Sequence, residues 1–186
     1  FKDALTEKLG DKVKFDEQNA QGDSPTCATI VNSFVSENVD LILANATGPL
    51  QAAASGTTDI PILGTSVTDY GTALDIKNWT GTTGINVSGT SDLAPLDQQA
   101  AMLKELFPDK KKVGLLYCSA EANSLYQVET IKGYLEKDGY TCTNYSFVDS
   151  NDIASVVSNA AKNSEVIYVP TDNTAASNTE VIRNTC

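Results

Sequence analysis

The sequence predicts a parallel α/β protein with two lobes. Short apolar runs alternate with helical patterns along the chain, and continuous runs of this kind are typical of strands buried on both faces of a sheet. The connections between them are short, which favours right-handed strand–helix–strand crossovers. A polar, Gly-rich stretch with few charges, residues 80–92, separates two such series. We therefore expect a first lobe at residues 1–88 and a second lobe at 89–186.

The first half of the chain is expected to open with a helix over residues 1–9, because an apolar residue recurs at every fourth position before Gly10. A second helix is expected to follow Asp23 or Ser24, either of which can cap it, with Pro25 in its first turn. The other elements expected in this half are strands at 13–18, 39–45, 61–67 and 85–90 and a helix at 50–55.

The second half repeats the alternation after the polar stretch. Its strands are apolar runs, and its helices carry apolar residues at intervals of three and four. The expected strands are 112–118, 141–148 and 165–170, and the expected helices are 96–107, 123–138, 152–163 and 175–185.

Composition excludes several classes of protein. The chain has 24 Asp and Glu, 13 Lys and Arg and no His, which gives a net charge of −11. Without His, neither a Ser-His-Asp triad nor His-ligated zinc can form in this stretch. The acidic balance argues against nucleic-acid binding, which needs a basic face. The 4 Cys include no C-x-x-C pair that would indicate a metal or thioredoxin-like site. We expect no metal and no cofactor, and the candidate residues named below are binding rather than catalytic ones.

Polar residues follow four of the expected strands, where open parallel sheets bind their ligands. Free N–H groups at the start of the helix after the second strand could receive an anion such as a carboxylate. Each polar group taken alone is explained by an ordinary helix cap, but four facing one crevice favour a binding site. The candidate segments are Ala46-Thr47-Gly48, Thr68-Asp69-Tyr70, Ser119–Ser124 and Thr171–Thr174.

The chain resembles a bacterial family on several segments that run through almost its whole length. They are FKDAL, VDLILANATGPLQAA, IPILGTSVTD, INVSGTSDLAPLDQQAAMLKELFPDKKKVGLLYCSAEANS and VIYVPTDNTAAS, and the most specific parts are Glu121-Ala-Asn-Ser124 and Pro170-Thr-Asp-Asn173. These segments are similar to ABC-transporter substrate-binding proteins of the tryptophan and aromatic amino acid type. The family usually has Pro where this chain has Tyr70.

The resemblance implies a two-lobed, parallel-sheet α/β architecture of the periplasmic-binding-protein type I kind. The chain is expected to be a fragment of it, lacking the first strand of the first lobe and the segment that returns to that lobe. The implied function is capture of a small solute, an aromatic L-amino acid, by hinge closure of the lobes and delivery to a membrane permease. The implied setting is extracytoplasmic, in the periplasm or on a lipid anchor at the outer face of the membrane, as a monomer.

Residue roles follow from the same resemblance. Asn123 and Ser124 would bind the ligand carboxylate, and Thr47 and Thr68 would add hydroxyls from the facing lobe. Asp172, together with Glu121, would balance the ammonium group. The remaining candidates are Asp69 and Asn173 beside the cleft, and Tyr70 and Tyr117 as an apolar wall for the ligand ring.

Two other functions share this class of fold. One is the ligand-sensing domain of a transcriptional regulator or receptor. The other is an amino acid racemase that uses two cysteines at strand ends, for which Cys118 is the candidate. In that second case the matching strand end of the first lobe carries Asn45 and Ala46 rather than Cys.

Overall fold

Two three-stranded parallel sheets form the framework of the protein. The computed structural model describes the whole chain, Phe1–Cys186. The first sheet has the order β1-β2-β3 and the second β5-β4-β6, and all pairs are parallel. The strands are β1 (Ile42–Asn45), β2 (Ile62–Val67), β3 (Val87–Ser91), β4 (Lys112–Cys118), β5 (Thr141–Phe147) and β6 (Val166–Tyr168).

Helices connect these strands and cover the sheets. A single 3-10 turn, Gly10–Lys12, follows the first helix. The helices are α1 (Lys2–Leu9), α2 (Ser24–Ser36), α3 (Thr47–Gly56), α4 (Tyr70–Ala73), α5 (Leu96–Leu106), α6 (Ala122–Lys137), α7 (Ile153–Asn163), α8 (Asn173–Ser177) and α9 (Thr179–Thr185).

The first lobe packs around one apolar core. Leu50 of α3 and Ile62 of β2 are fully buried there, and Val31 of α2 and Val87 of β3 join the same cluster. Asp23 starts α2 as expected, because its carboxylate accepts the N–H of Thr26 at 2.9 Å. The burial of these side chains orients β1 and β2 so that both of their carboxyl ends open onto one edge of the sheet.

The second lobe has two cores, one on each face of β4. Leu115 packs with Val128 on α6, while Leu116 points the other way and packs with Ile153 on α7. A strand buried on both faces in this way carries a continuous apolar run, which is why residues 112–118 were identifiable from the sequence to the residue.

A short segment crosses between the lobes. β3 pairs with β2 through Ser91, and the Asp92 N–H still bonds the Val67 carbonyl at 3.0 Å, whereas α5 begins at Leu96. The crossing therefore lies at residues 92–95, a few residues after the boundary expected at 88. Apart from this segment, the side-chain hydrogen bonds and ion pairs join residues of the same lobe, and the lobes touch where α4 packs against α6.

Two expected elements take another form in the structure, and one helix of the structure was not expected. Residues 13–18 are extended at Val13 but do not pair with another strand, so they are not part of the sheet. The expected helix at 175–185 is divided into α8 and α9, because the Asn178 side chain bonds the Thr174 carbonyl at 2.8 Å and the backbone leaves helical geometry there. Helix α4 was not anticipated, since four residues are too few to show a helical period.

No helix combines the length and apolar character needed to cross a bilayer. All four cysteines are free thiols.

Candidate functional site

A polar cleft of about 540 Å³ lies between the two lobes, at the carboxyl ends of both sheets. The first lobe contributes the loop before α2 and the start of α3, and the second contributes the turns after β4, β5 and β6. Its walls carry mainly amides, hydroxyls and small side chains, together with the carboxylates of Glu121 and Asp149. Neither Lys nor Arg lines it, so a bound anion would be held by neutral donors.

Thr47 brings the first lobe to the cleft. It is the first residue of α3 and only 4% exposed, yet its hydroxyl makes no hydrogen bond within the protein. Ala46 precedes it with φ of 89°, a conformation that non-glycine residues rarely adopt. The Leu50 N–H bonds the Ala46 carbonyl at 3.2 Å, which leaves the N–H groups of Thr47 and Gly48 without a helical partner.

Glu121 links two turns of the second lobe. Its Oε2 accepts from the Asn173 backbone N–H at 3.0 Å, the Asn173 side chain at 2.7 Å and the Asn123 side chain at 3.1 Å. Its Oε1 accepts from the Thr174 N–H at 2.9 Å and the Thr174 hydroxyl at 2.8 Å. Burial raises the pKa of Glu121, but these donors outweigh it and hold the pKa below its ordinary value. The carboxylate is ionised and already fully coordinated.

Asp172 is buried beneath the cleft and does not line it. Its two oxygens accept the backbone N–H of Cys118 at the end of β4 and that of Ala175 in α8, both at 2.7 Å. Burial raises the pKa of Asp172, and the nearby charge of Glu121 raises it further, while the two N–H groups oppose the shift. The observed contacts of Asp172 are those of a helix cap that ties β4 to α8.

Asn123 lines the cleft at the start of α6, with 7% of its surface exposed. Its Nδ2 donates to Glu121, to the Ser124 hydroxyl at 3.3 Å and to the Thr171 carbonyl at 3.2 Å. Gln127 bonds the same carbonyl at 3.0 Å, which secures this turn. Ser124 itself is completely buried below the cleft wall. The Oδ1 of Asn123 has no partner within the protein.

The segment Thr68-Asp69-Tyr70 lies outside the cleft lining. The Asp69 carboxylate caps α4 by accepting the Thr72 N–H at 2.7 Å. Tyr70 packs in the first-lobe core, where its hydroxyl donates to the Thr90 carbonyl at 3.2 Å. Tyr117 lies in a core of the second lobe. Neither tyrosine forms a wall of the cleft, because both rings fill apolar interiors.

The structure thus brings four of the ten candidates to the cleft and leaves six behind it. The four are Thr47, Glu121, Asn123 and Asn173, and the six are Thr68, Asp69, Tyr70, Tyr117, Ser124 and Asp172. Other lining residues were not among the candidates: some lie in the loop before α2 or in a helix, and two follow β5, a strand end that the sequence analysis did not single out. They include Asn19, Gln21, Ser24, Cys27, Asp149, Ser150, Ser177 and Asn178.

Two cysteines line the cleft from opposite lobes. Cys118 lies at the end of β4, the position expected for it. Cys27 reaches the cleft from α2, whereas the matching strand end of the first lobe has no Cys. Burial raises the pKa of both thiols, and Asp23 adds to it at Cys27. The Cys118 thiol donates to the Val148 carbonyl at 3.3 Å. Raised pKa values disfavour the thiolate that a two-cysteine racemase requires. No group of three or more Cys, Asp or Glu is arranged to hold a metal ion.

A family model described as "ABC transporter substrate binding protein" matches residues 1–185. The chain belongs to this family. It is 39% identical over 175 residues to a tyrosine-binding protein of Clostridioides difficile strain R20291, a match that covers 94% of this chain and 50% of that protein. The chain thus spans about half the length of this curated relative.

Two solved structures of the family are similar to the chain at nearly equal identity. One is an ABC domain from Streptococcus pneumonia in complex with L-Trp, with a TM-score of 0.91 and 37% identity over 99% of this chain and 63% of that one. The other is the ligand-free, open structure of a substrate-binding protein with adhesive properties from Clostridium difficile. It has a TM-score of 0.61 and 36% identity over 98% of this chain and 63% of that one.

Proposed function

We propose that this chain is the ligand-binding part of an extracytoplasmic solute receptor that delivers an aromatic L-amino acid to an ABC importer. The observation that carries the proposal is the polar cleft, which the turns after four parallel strands, β1, β4, β5 and β6, line from both lobes. Family members of comparable identity are a tyrosine-binding protein and a protein solved with L-Trp. The permease partner, the extracytoplasmic setting and a monomeric state are parts of the same proposal.

Hinge closure is the proposed mechanism of capture. The chain superposes far better on the L-Trp complex than on the open, ligand-free structure, although its identity to the two is almost the same. A difference in lobe arrangement rather than in sequence accounts for such a gap. We infer that the arrangement described here is the closed one and that ligand favours it over an open state by bridging the two lobes across residues 92–95.

A thermal-shift panel on the intact protein tests the proposal. L-Trp, L-Tyr and L-Phe are compared with D-Trp, L-Leu, L-Glu and a hexose, each at a fixed concentration. A ligand present at about 100 times its Kd stabilises the native state by about 2.7 kcal/mol, which gives a clear rise in Tm. Stabilisation by one or more aromatic L-amino acids, and not by D-Trp, is expected. A response to the hexose or L-Leu alone would overturn the aromatic assignment.

A further inference from the structure

Two polar side-chain atoms of residues that line the cleft, one in each lobe, have no hydrogen-bond partner within the protein. They are Thr47 Oγ1 in the first lobe and Asn123 Oδ1 in the second, each on a residue that is more than nine-tenths buried. The Tyr140 hydroxyl is the one fully enclosed side-chain atom without a partner, so the open atoms of Thr47 and Asn123 retain access to the cleft. Polar groups on such buried residues are usually paired, and these two atoms are available to a ligand that enters the cleft.

The first-lobe side of the cleft presents hydrogen-bond donors. The free N–H groups of Thr47 and Gly48 lie at the positive end of α3, a helix of 10 residues, and the Thr47 hydroxyl lies beside them. Because Pro49 has no N–H and Gly48 has no side chain, nothing at this end competes for an incoming acceptor. This side suits a carboxylate.

The second-lobe side presents acceptors. Two partners of Asn123 Nδ2, the Glu121 carboxylate and the Thr171 carbonyl, can only accept, and this requirement fixes the orientation of the amide. The cleft-facing atom is therefore the carbonyl oxygen Oδ1. Glu121, the N-cap residue of α6, makes no side-chain bond to the N–H groups of that helix, but its ionised carboxylate lies beside them and opposes the attraction of the helix end for a second anion. This side suits an ammonium group.

We propose that the cleft binds its amino acid in one polarity, with the α-carboxylate on the first turn of α3 and the α-ammonium on Asn123 Oδ1. The assignment rests on the proposed function, and it reverses the carboxylate role that the family resemblance implied for Asn123 and Ser124. It also makes the ligand a bridge, because each charged group contacts a different lobe.

Ligand analogues on the intact protein separate the two ends of the ligand. Isothermal titration compares L-Trp with L-tryptophanamide, which lacks the carboxylate, and with indole-3-propionate, which lacks the ammonium; the tyrosine series is measured in parallel. In Thr47→Val the preference for the amino acid over its amide is expected to fall about tenfold or more, with the preference over the deaminated acid unchanged. In Asn123→Ala the preference over the deaminated acid is expected to fall, with the preference over the amide unchanged. Thr47→Ser restores the hydroxyl and the preference.

The possible results separate a failure of the proposed ligand orientation from a failure of the proposed amino acid binding. Loss of discrimination against the deaminated acid in Thr47→Val, or no change in either ratio, overturns the polarity while leaving amino acid binding intact. This variant decides the matter even if Asn123→Ala does not fold. Thr143→Val, an exposed change on β5 outside the cleft, serves as the matched control. Failure of the unsubstituted protein to bind either amino acid overturns the proposed function, and the polarity with it.

Discussion

At the scale of the residue, Glu121 is the clearest example of a polar group whose role is to shape the cleft. One carboxylate receives three side-chain and two backbone donors from Asn123, Asn173 and Thr174. A charged acceptor is stronger than a neutral one, so this single side chain fixes both the start of α6 and the start of α8.

Glu121→Gln is expected to lower the free energy of unfolding by about 1–3 kcal/mol at pH 7. The NH2 group that replaces one carboxylate oxygen is itself a donor, so it cannot accept from the N–H and O–H groups that bond that oxygen. The pKa of Glu121 is lowered in the folded state, so its stabilisation is present above the unfolded value, about 4.3, and is lost as the pH falls through the folded value. Urea titrations at pH 7 and pH 3 should therefore show a difference between variant and wild type that shrinks in acid.

Glu105→Gln is the control for this change, since Glu105 is exposed on α5. It should alter stability by less than about 0.5 kcal/mol at either pH. If the difference in free energy of unfolding between Glu121→Gln and wild type were as large at pH 3 as at pH 7, the stabilisation would not come from the ionised carboxylate of Glu121.

Sequence reasoning placed Thr47 and Asn123 near the cleft because both belong to the segments that follow apolar strands. It could not separate them from Asp172 or Tyr70, which occupy equivalent positions along the chain. The distinction depends on depth: Asp172 bonds backbone groups of β4 and α8 beneath the cleft, and Tyr70 turns back to the Thr90 carbonyl. Strand ends show which residues come near a site but do not show which way each side chain points.

At the scale of the element, two glycines allow β2 and β3 to approach beneath Tyr70. A Cβ on Gly89 would overlap the Gly64 carbonyl and the Tyr70 hydroxyl. By contrast, a Cβ on Gly133, an exposed position of α6, would meet nothing within 4 Å. The pairing of β2 with β3 thus requires a residue without a side chain at Gly89.

Gly89→Ala is expected to destabilise the chain by about 1–3 kcal/mol, as overpacking typically does. Gly133→Ala should instead stabilise it by about 0.5–1 kcal/mol, since alanine is the better helix former and no contact opposes it. The changes in the free energy of unfolding relative to wild type, measured by urea titration, should have opposite signs in the two variants. Equal effects would show that the close approach at Gly89 does not govern stability.

Elements with a complete apolar environment were the ones that the sequence predicted well. β4 was predicted to the residue because both of its faces are buried. Residues 13–18 carry the alternation of a strand but lack a pairing neighbour, and pairing cannot be read from one segment alone. The break between α8 and α9 depends on one side chain, that of Asn178, in an otherwise helical pattern.

At the scale of the whole molecule, the two lobes are separate units of packing. The first-lobe core shares no residue with the two cores of the second lobe, and residues 92–95 connect them. Trp79 is the only tryptophan of the chain and packs against the first-lobe core, so its fluorescence reports on that lobe.

We expect the lobes to unfold in distinct transitions. Gly89→Ala should lower the urea midpoint seen by Trp79 fluorescence. Glu121→Gln should leave that midpoint in place and lower the midpoint of a second transition, seen by far-UV circular dichroism, which we assign to the second lobe. Equal shifts of both signals in both variants would show instead that the lobes unfold as one cooperative unit.

For the proposed function, the charge of the chain would act on solutes before any contact forms. A net charge of −11, with Glu121 and Asp149 at the cleft itself, produces a negative potential that reaches about 8 Å into physiological saline. This potential repels anionic metabolites at the entrance, and it does so more strongly at low ionic strength. A zwitterion has no net charge, so the potential orients it without repelling it. In the proposed receptor, electrostatics would thus filter solutes in addition to the fit of the cleft.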